Sequence, residues 1–326
     1  MNKDEVGVKV TIIIPHFNTP NYLRKLLGTI PRIEAIQVLV IDDKSTKEQD
    51  KYEELQREEK YSHIQFINNT TDKKGAGVCR NIGLEQAVGK WLVFADADDY
   101  FTVNWYSKLE KYLESDKDVI FFTPTSIDLK TNKLSCRHER TKNILYDFLT
   151  LPNKENELQV KYKLFEPWSK LISRNLIIDN EIAFDQVLVA NDVMFTTKMA
   201  YHMKAFQIVK DVIYCTTNNA GSLTKVLSEE NYNIRLSVFI NQYKFLEERL
   251  SRKEFYILNL NAMMFVKWIV SYKLGLKKLF WLRRQLRKNN IKWVVNTKNL
   301  KPSQVVKEAI MSYRRYKGSK THYTIK

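Results

Sequence analysis

Over the first 125 residues, short unbroken apolar runs alternate with stretches whose apolar positions recur every three or four residues. The runs "VKVTIII" (8–14), "IQVLVI" (36–41), "HIQFI" (63–67), "KWLVFA" (90–95) and "DVIFFT" (118–123) have the length and composition of strands. Between the first two lies "NYLRKLLGTI", where Leu23, Leu26, Leu27 and Ile30 fall on one helical face. After "DDKST" (42–46) a charged stretch reads as a second helix, with Ser45 or Thr46 as its N-cap. "GAGVCRNIGLEQAV" (75–88) opens a third. Strands that lack polar alternation are covered on both faces, so the pattern predicts a mostly parallel α/β sheet flanked by helices. Ligands of such sheets bind beyond the carboxyl ends of the strands. Three strands end in unusual chemistry: "PHFN" (15–18), "DDKST" and "DADD" (96–99). Those ends are expected at one sheet edge.

The pattern is less regular over 126–225, which contains "FEPWSKLISRNLI", "FDQVLVANDVMFTTKMAYHM" and "IYCTTNNAGSLT". From about 229 onward it is helical. The most apolar stretch, "FYILNLNAMMFVKWIVSY" (255–272), carries Asn259, Asn261 and Lys267. Those polar groups favour a buried helix over a membrane span.

Charge divides the chain. The formal net charge is +16, and residues 255–326 hold 17 Lys and Arg against a single acid, Glu308. The remaining residues are balanced, so the whole excess sits on the C-terminal segment. A basic appendage of this kind meets an anionic surface. In "KLGLKKLFWLRRQLRKNNIKWVV", Leu274, Leu276, Leu279, Phe280, Trp281 and Leu282 are interleaved with lysines and arginines, which suits an interfacial helix on anionic lipid or, as the alternative, a solvated basic face packed on the catalytic domain. Cys79, Cys136 and Cys215 form neither a disulfide framework nor a metal spacing and suit a reducing cytosol. The polar start "MNKDEVGVKV" does not read as a secretory signal. The five histidines are scattered, which argues against zinc.

"GAGVCRNIG" is not a dinucleotide fingerprint, because Arg80 stands where the third glycine belongs and the motif follows the third strand. Its helix start, with Lys73, Lys74 and Arg80, makes an anion-friendly lip. "DADD" is either a solvated acidic turn or a holder of one hard divalent cation, completed by phosphate oxygens and water. Asp42 and Asp43 are either a helix-capping pair or acceptors for a base N–H or ribose hydroxyls. Asp192, in "VANDVMF", is either an acid favoured by a helix N-terminus or a general base.

Together, "VTIIIPHFN", "VLVIDDKST", "GAGVCRNIGLEQAVGKWLVFADADD", "EPWSKLISRNLI", "ANDVMF" and "AGSLT" resemble, in this order, family 2 glycosyltransferases. These are the inverting GT-A enzymes of bacterial capsule, lipopolysaccharide and wall-polymer synthesis. The resemblance is strong over 8–125, fair over 160–225 and absent after about 230. It implies a GT-A catalytic domain over 1–228, with a nucleotide-sugar half to about 125 and an acceptor half beyond it. A helical basic region over 229–326 follows. Pro15, Phe17 and Asn18 would line the nucleotide pocket, and Asp43 with Asp42 would contact the base, usually uracil. Lys74 and Arg80 would approach the nucleotide or diphosphate. Asp96 and Asp98, flanking Ala97, would be the Asp-x-Asp pair on the ribose and on Mn²⁺ or Mg²⁺. Asp99, Trp168 and Asn191 are expected near the sugar or acceptor, and Asp192 matches the catalytic base.

Two departures stand out. Asn191 occupies the place of a glutamate usual in the family, and "TDKKGAGVCRN" replaces its Asn-x-Gly stretch. The implied reaction moves a sugar from a nucleotide diphosphate, UDP above all, to a hydroxyl of a glycan or lipid-linked acceptor. The implied place is the cytoplasm, peripheral on the inner face of the membrane, with no nucleic-acid partner. A nucleotidyltransferase would carry a glycine-rich basic signature after the first strand, and "PHFN" is not one. A non-catalytic membrane- or nucleic-acid-binding module rests on the tail charge alone.

Overall fold

The structure is a computed structural model that describes residues 7–218 and 228–293. The chain divides into two compact units, 1–223 and 224–326. "AGSLT" and residues 294–326, which carry part of the basic excess, lie outside the described residues.

In chain order the first unit comprises β1 (Val10–His16), α1 (Pro20–Leu27), β2 (Ile36–Asp42), α2 (Gln49–Arg57), β3 (Ile64–Asn68), α3 (Ala76–Gln86), β4 (Trp91–Phe94), β5 (Tyr100–Phe101), α4 (Trp105–Leu109) and β6 (Val119–Phe122). It continues with β7 (Thr125–Asp128), β8 (Lys133–Leu134), α5 (Glu139–Thr150), α6 (Lys154–Lys163), β9 (Lys170–Ser173), α7 (Arg174–Ile178), α8 (Asp192–His202), β10 (Phe206–Val209) and β11 (Tyr214–Asn218). Seven strands form the main sheet in the order β10-β6-β9-β4-β1-β2-β3. All neighbours are parallel except β9, which runs antiparallel between β4 and β6. β1 lies in the middle, with Val10 to His16 paired against Ile36 to Asp42, and Val10 to Ile13 against Trp91 to Phe94.

Residues alternate between two buried faces. Ile12, Ile14, Val38, Val40 and Val93 enter one core, and Ile13, Leu39, Ile41, Leu92 and Phe94 enter the other. That is why the strands read as continuous apolar runs. α1 lays Leu23, Leu26 and Leu27 into the first core, each buried side chain contributing about 1.5–3 kcal/mol. Because β1, β2 and β4 are adjacent and parallel, their carboxyl ends share one edge, as the pattern predicts. Pairing with β4 ends at Ile13, so Pro15, which has no N–H, sits where the strands part.

Three features differ from the sequence reading. Neither Ser45 nor Thr46 caps α2; Glu48 precedes it with φ 51°, and Ser45 bonds to Asp42 instead. A second sheet, in the order β5-β11-β7-β8, occupies the irregular middle of the chain; its two- to five-residue strands are too short to show a period. The apolar stretch 255–272 is not one helix. Asn259 adopts φ 48° and ends the first part, and Asn261 Oδ1 accepts the Met263 N–H where the next begins.

The second unit holds α9 (Glu229–Arg249), α10 (Arg252–Leu258), α11 (Met263–Ser271) and α12 (Gly275–Lys288). Tyr232, Leu236, Tyr243, Phe255, Phe265 and Leu282 are buried in it. The Tyr232–Phe265 and Tyr243–Phe255 ring pairs meet edge to face at 5.7 and 5.0 Å. Among the described residues, no helix is long and apolar enough to cross a membrane.

Candidate active site

Two acidic segments, after β2 and after β4, meet the first strand's "PHFN" at the carboxyl edge of the main sheet. His16 is buried beneath them. Its Nε2 accepts the Thr19 N–H at 3.2 Å, so Nδ1 carries the proton and donates to Asp42 Oδ1 at 2.8 Å. Tyr52 stacks on the ring at 4.7 Å. Asp42 also accepts the Ser45 hydroxyl at 2.6 Å and the Ser45 N–H at 2.8 Å. Burial alone would raise this carboxyl, but the bonds from His16 and Ser45 outweigh it and hold it below its ordinary value. Asn18, at φ 55°, accepts the Thr46 and Lys47 N–H groups and ties the first loop to the second. Asp43 accepts from Asn69 Nδ2 at 2.8 Å and from the Gly75 N–H at 2.7 Å, fixing the entry to α3. Phe17 is 42% exposed, with the Lys74 ammonium 5.7 Å from its ring centroid, and the two form the outer rim.

α3 carries Arg80 inward. A Cβ on Gly77 would stand 2.3 Å from the Asp185 carbonyl oxygen and 2.9 Å from Asn191 Cβ. Only glycine lets the 185–191 segment approach this closely. Arg80 then reaches both Asn191 Oδ1, at 2.8 Å, and Asp96 Oδ1, at 2.6 Å, and its Nε has no protein partner. Asn191 thus serves as a neutral acceptor for the guanidinium, and Asp96 is the carboxylate paired with it.

The segment after β4 is braced from below. Tyr214 on β11 donates its hydroxyl to Asp99 Oδ2 at 3.0 Å and accepts the Asp96 N–H at 2.8 Å. Asp99 Oδ1 accepts the Thr217 N–H at 2.6 Å. Asp99 is 1% exposed, and Ala97 is buried beside it. Trp168 is 5% exposed and stacks on Tyr214 at 5.8 Å, so its ring lies in the core under the turn. Asp96 and Asp98 remain half-buried. Burial and the Asp96 charge push the Asp98 carboxyl up, and the Arg137 guanidinium opposes the rise. Asp99 is pushed well above its ordinary value by burial and by its two neighbours.

Such a cluster is short of positive charge. Two carboxylates with spare oxygens fit a hard divalent cation whose shell is completed by phosphate and water. Among the described residues no group of three protein ligands stands ready for a metal, so the protein would provide Asp96 and Asp98 and the substrate the rest.

Antiparallel β9 begins where its neighbours end, which brings "FEPWSK" to the same edge. Lys170 is fully enclosed. It donates to the Glu166 carbonyl and, at 3.4 Å, to that of Leu164. Burial lowers its pKa to about 8, against the charges of Glu166 and Asp192. Glu166 Oε2 is buried with no partner. Asp192 opens α8. Burial pushes its carboxyl up to about 6 against the Arg80 charge, and Glu166 and Asp96 add to the rise. Asp192, Arg80, Asp96, Glu166 and Lys170 therefore share one electrostatic neighbourhood.

Sequence reasoning passed over His16, Arg137, Glu166, Lys170 and Tyr214. His16, Glu166 and Lys170 stand inside the motifs "PHFN" and "EPWSK" and could have been read from them. Arg137 bonds the Thr217 carbonyl from the loop before α5, and no spacing announces it.

A mostly parallel sheet whose carboxyl edge gathers an Asp-x-Asp turn, an inward arginine and an acid at a helix start defines a GT-A nucleotide-sugar transferase fold. The structure superimposes on Staphylococcus aureus TarS 1–349 in complex with UDP-GlcNAc with a TM-score of 0.65 at 22% identity, covering 96% of this chain and 91% of that one. It also matches a mannosyltransferase from Pyrobaculum calidifontis in complex with GDP-Man and Mn²⁺, with a TM-score of 0.54 at 16% identity, covering 96% and 83%. Residues 11–172 match the model of glycosyl transferase family 2, and the chain belongs to that family. Over 217 residues it is 27% identical to the poly(ribitol-phosphate) beta-N-acetylglucosaminyltransferase TarS of Staphylococcus aureus. That match covers 64% of this chain and 35% of TarS.

Proposed function

We propose that the protein transfers a sugar from a nucleoside diphosphate donor, UDP-linked, to a hydroxyl of a cell-surface glycan or its lipid-linked precursor, with inversion at the anomeric carbon. The carrying observation is the turn after β4, where Asp96 and Asp98 stand half-exposed and short of cations beside an arginine that also holds the residue before Asp192. The UDP-GlcNAc bound to the related TarS structure and the Mn²⁺ in the mannosyltransferase support this reading.

Phe17 and Lys74 flank the base, Pro15 and Asn18 shape its pocket, and Asp43 accepts from it. Asp96 reaches the ribose side, and Asp98 with Asp96 would hold Mn²⁺ or Mg²⁺. A cation bound there supplies neutralisation of the diphosphate leaving group. Arg80, bonded to Asp96, stands beside the same phosphates. Asp192 removes the acceptor proton, and a carboxyl near 6 is ionised at neutral pH while basic enough to take it. Asp99 and Trp168 hold the turn in place, and Asn191 keeps Arg80 aimed without adding a second negative charge.

The test is a panel of nucleotide sugars assayed for release of nucleoside diphosphate with Mn²⁺ or Mg²⁺ present. Turnover with a UDP-sugar is expected, falling below about pH 6 as Asp192 protonates. Asp192→Asn should cost about 10²–10⁴ in kcat with donor affinity retained. A variant that turns over like the wild type removes Asp192 from its role.

A further inference from the structure

α12 has two unlike faces. Lys278, Leu282 and Leu286 are buried along one of them. The Lys278 ammonium donates to Glu229 Oε1 at 2.8 Å and Asn233 Oδ1 at 2.6 Å, and lies 3.7 Å from the Trp281 ring centroid. These contacts fix the rotation of the helix, and so decide which residues face out. Leu276, Phe280, Arg283, Arg284 and Arg287 are all exposed. At ~100° per residue they fall within an arc of roughly 100°. The stripe is ordered along the helix, with the two apolar side chains in the first half and the arginines in the second. Leu276 is 75% and Phe280 68% exposed. No acidic residue occurs between 273 and 293.

We infer that this face of α12 docks on a membrane rich in anionic phospholipid, with Leu276 and Phe280 entering the headgroup boundary and Arg283, Arg284 and Arg287 on the phosphates. Charge alone would serve any polyanion. Two large apolar side chains held in water beside that charge are compensated only by an apolar phase, which lipid supplies and a soluble polyanion does not. By sequence alone, Lys278 and Leu282 belong to this set. The structure turns both inward and leaves a narrower face of one helix.

The inference stands apart from the catalytic reading, because its readout is vesicle binding by the full chain without donor or acceptor. The chain is sedimented with vesicles of phosphatidylglycerol and phosphatidylcholine, and with phosphatidylcholine alone. Binding is expected only with phosphatidylglycerol and is expected to weaken at high salt. Arg283→Glu/Arg284→Glu/Arg287→Glu should weaken it at least tenfold, and Leu276→Ser/Phe280→Ser should remove the fraction that survives high salt. All five positions are exposed, so unchanged melting temperatures verify the fold of both variants. A chain that stays in the supernatant with phosphatidylglycerol, or a charge-reversed variant that sediments like the wild type, overturns the proposal. Unaltered binding by the Leu276→Ser/Phe280→Ser variant, with release from vesicles by soluble polyphosphate, assigns the face to a polyanion and overturns it equally.

Discussion

Two aspartate pairs sit on neighbouring parts of one sheet edge and have opposite surroundings. Asp42 at the end of β2 accepts three hydrogen bonds, from a buried histidine and from a serine three residues on, and its carboxyl is held below its ordinary value. Asp98 after β4 is raised by burial and by Asp96, with an arginine from a distant loop as the opposing charge. In sequence the two segments look alike: apolar strand, then consecutive acids. The structure separates an acid satisfied by neutral hydrogen-bond donors from an acid raised by burial and by a like charge. Hydrogen-bond satisfaction makes that distinction, and spacing does not.

The contrast can be broken by exchanging the outcomes of equivalent substitutions. Asp98→Asn should leave the melting temperature unchanged or raised, since it relieves like-charge repulsion, and should lower turnover by about 10³-fold, within the range for removing one electrostatic group from a transition state. Asp42→Ala should do the reverse in kind. It strands the His16 Nδ1–H and the Ser45 N–H, at a cost of roughly 1–3 kcal/mol for each donor left buried. A melting scan would read this as a drop of several degrees. If Asp98→Asn unfolds the protein, or Asp42→Ala leaves it as stable as before, the division between the two pairs is wrong.

A smaller effect is expected on the acceptor side. The Glu166 carboxylate adds to the rise in the Asp192 pKa. Glu166→Gln removes that charge, so Asp192 loses its proton more readily and the acid limb of the rate profile moves to lower pH. The expected displacement is a fraction of a pH unit, read from kcat between pH 4.5 and 8. A limb that moves up, or does not move, separates Glu166 from Asp192.

The main sheet was legible because its strands are buried on both faces and show no polar interruption. The edge chemistry was legible because Asp42, Asp43, Arg80, Asp96 and Asp98 sit directly after those strands or at the next helix start. What braces the edge was not. Tyr214 and Thr217 hold Asp99 from more than a hundred residues away, and Arg137 comes from a loop with no periodicity. Asn259 breaks an apolar stretch that hydropathy joins, because a side chain tolerant of the left-handed conformation matters more there than the residues around it. Asp99, whose role the sequence left open, is occupied by Tyr214 and Thr217.

In the proposed function, Asp96 and Asp98 join the donor diphosphate through a divalent cation. Its most direct test is thermal stabilisation by UDP, with and without Mn²⁺, in the wild type and in Asp98→Asn. At a hundred times the Kd, binding to the native state adds about 2.7 kcal/mol, a readily measured rise in melting temperature. UDP is expected to raise the melting temperature of the wild type strongly only with Mn²⁺ present, and Asp98→Asn is expected to lose the metal-dependent part. Equal stabilisation of both proteins by UDP with Mn²⁺ absent would contradict it.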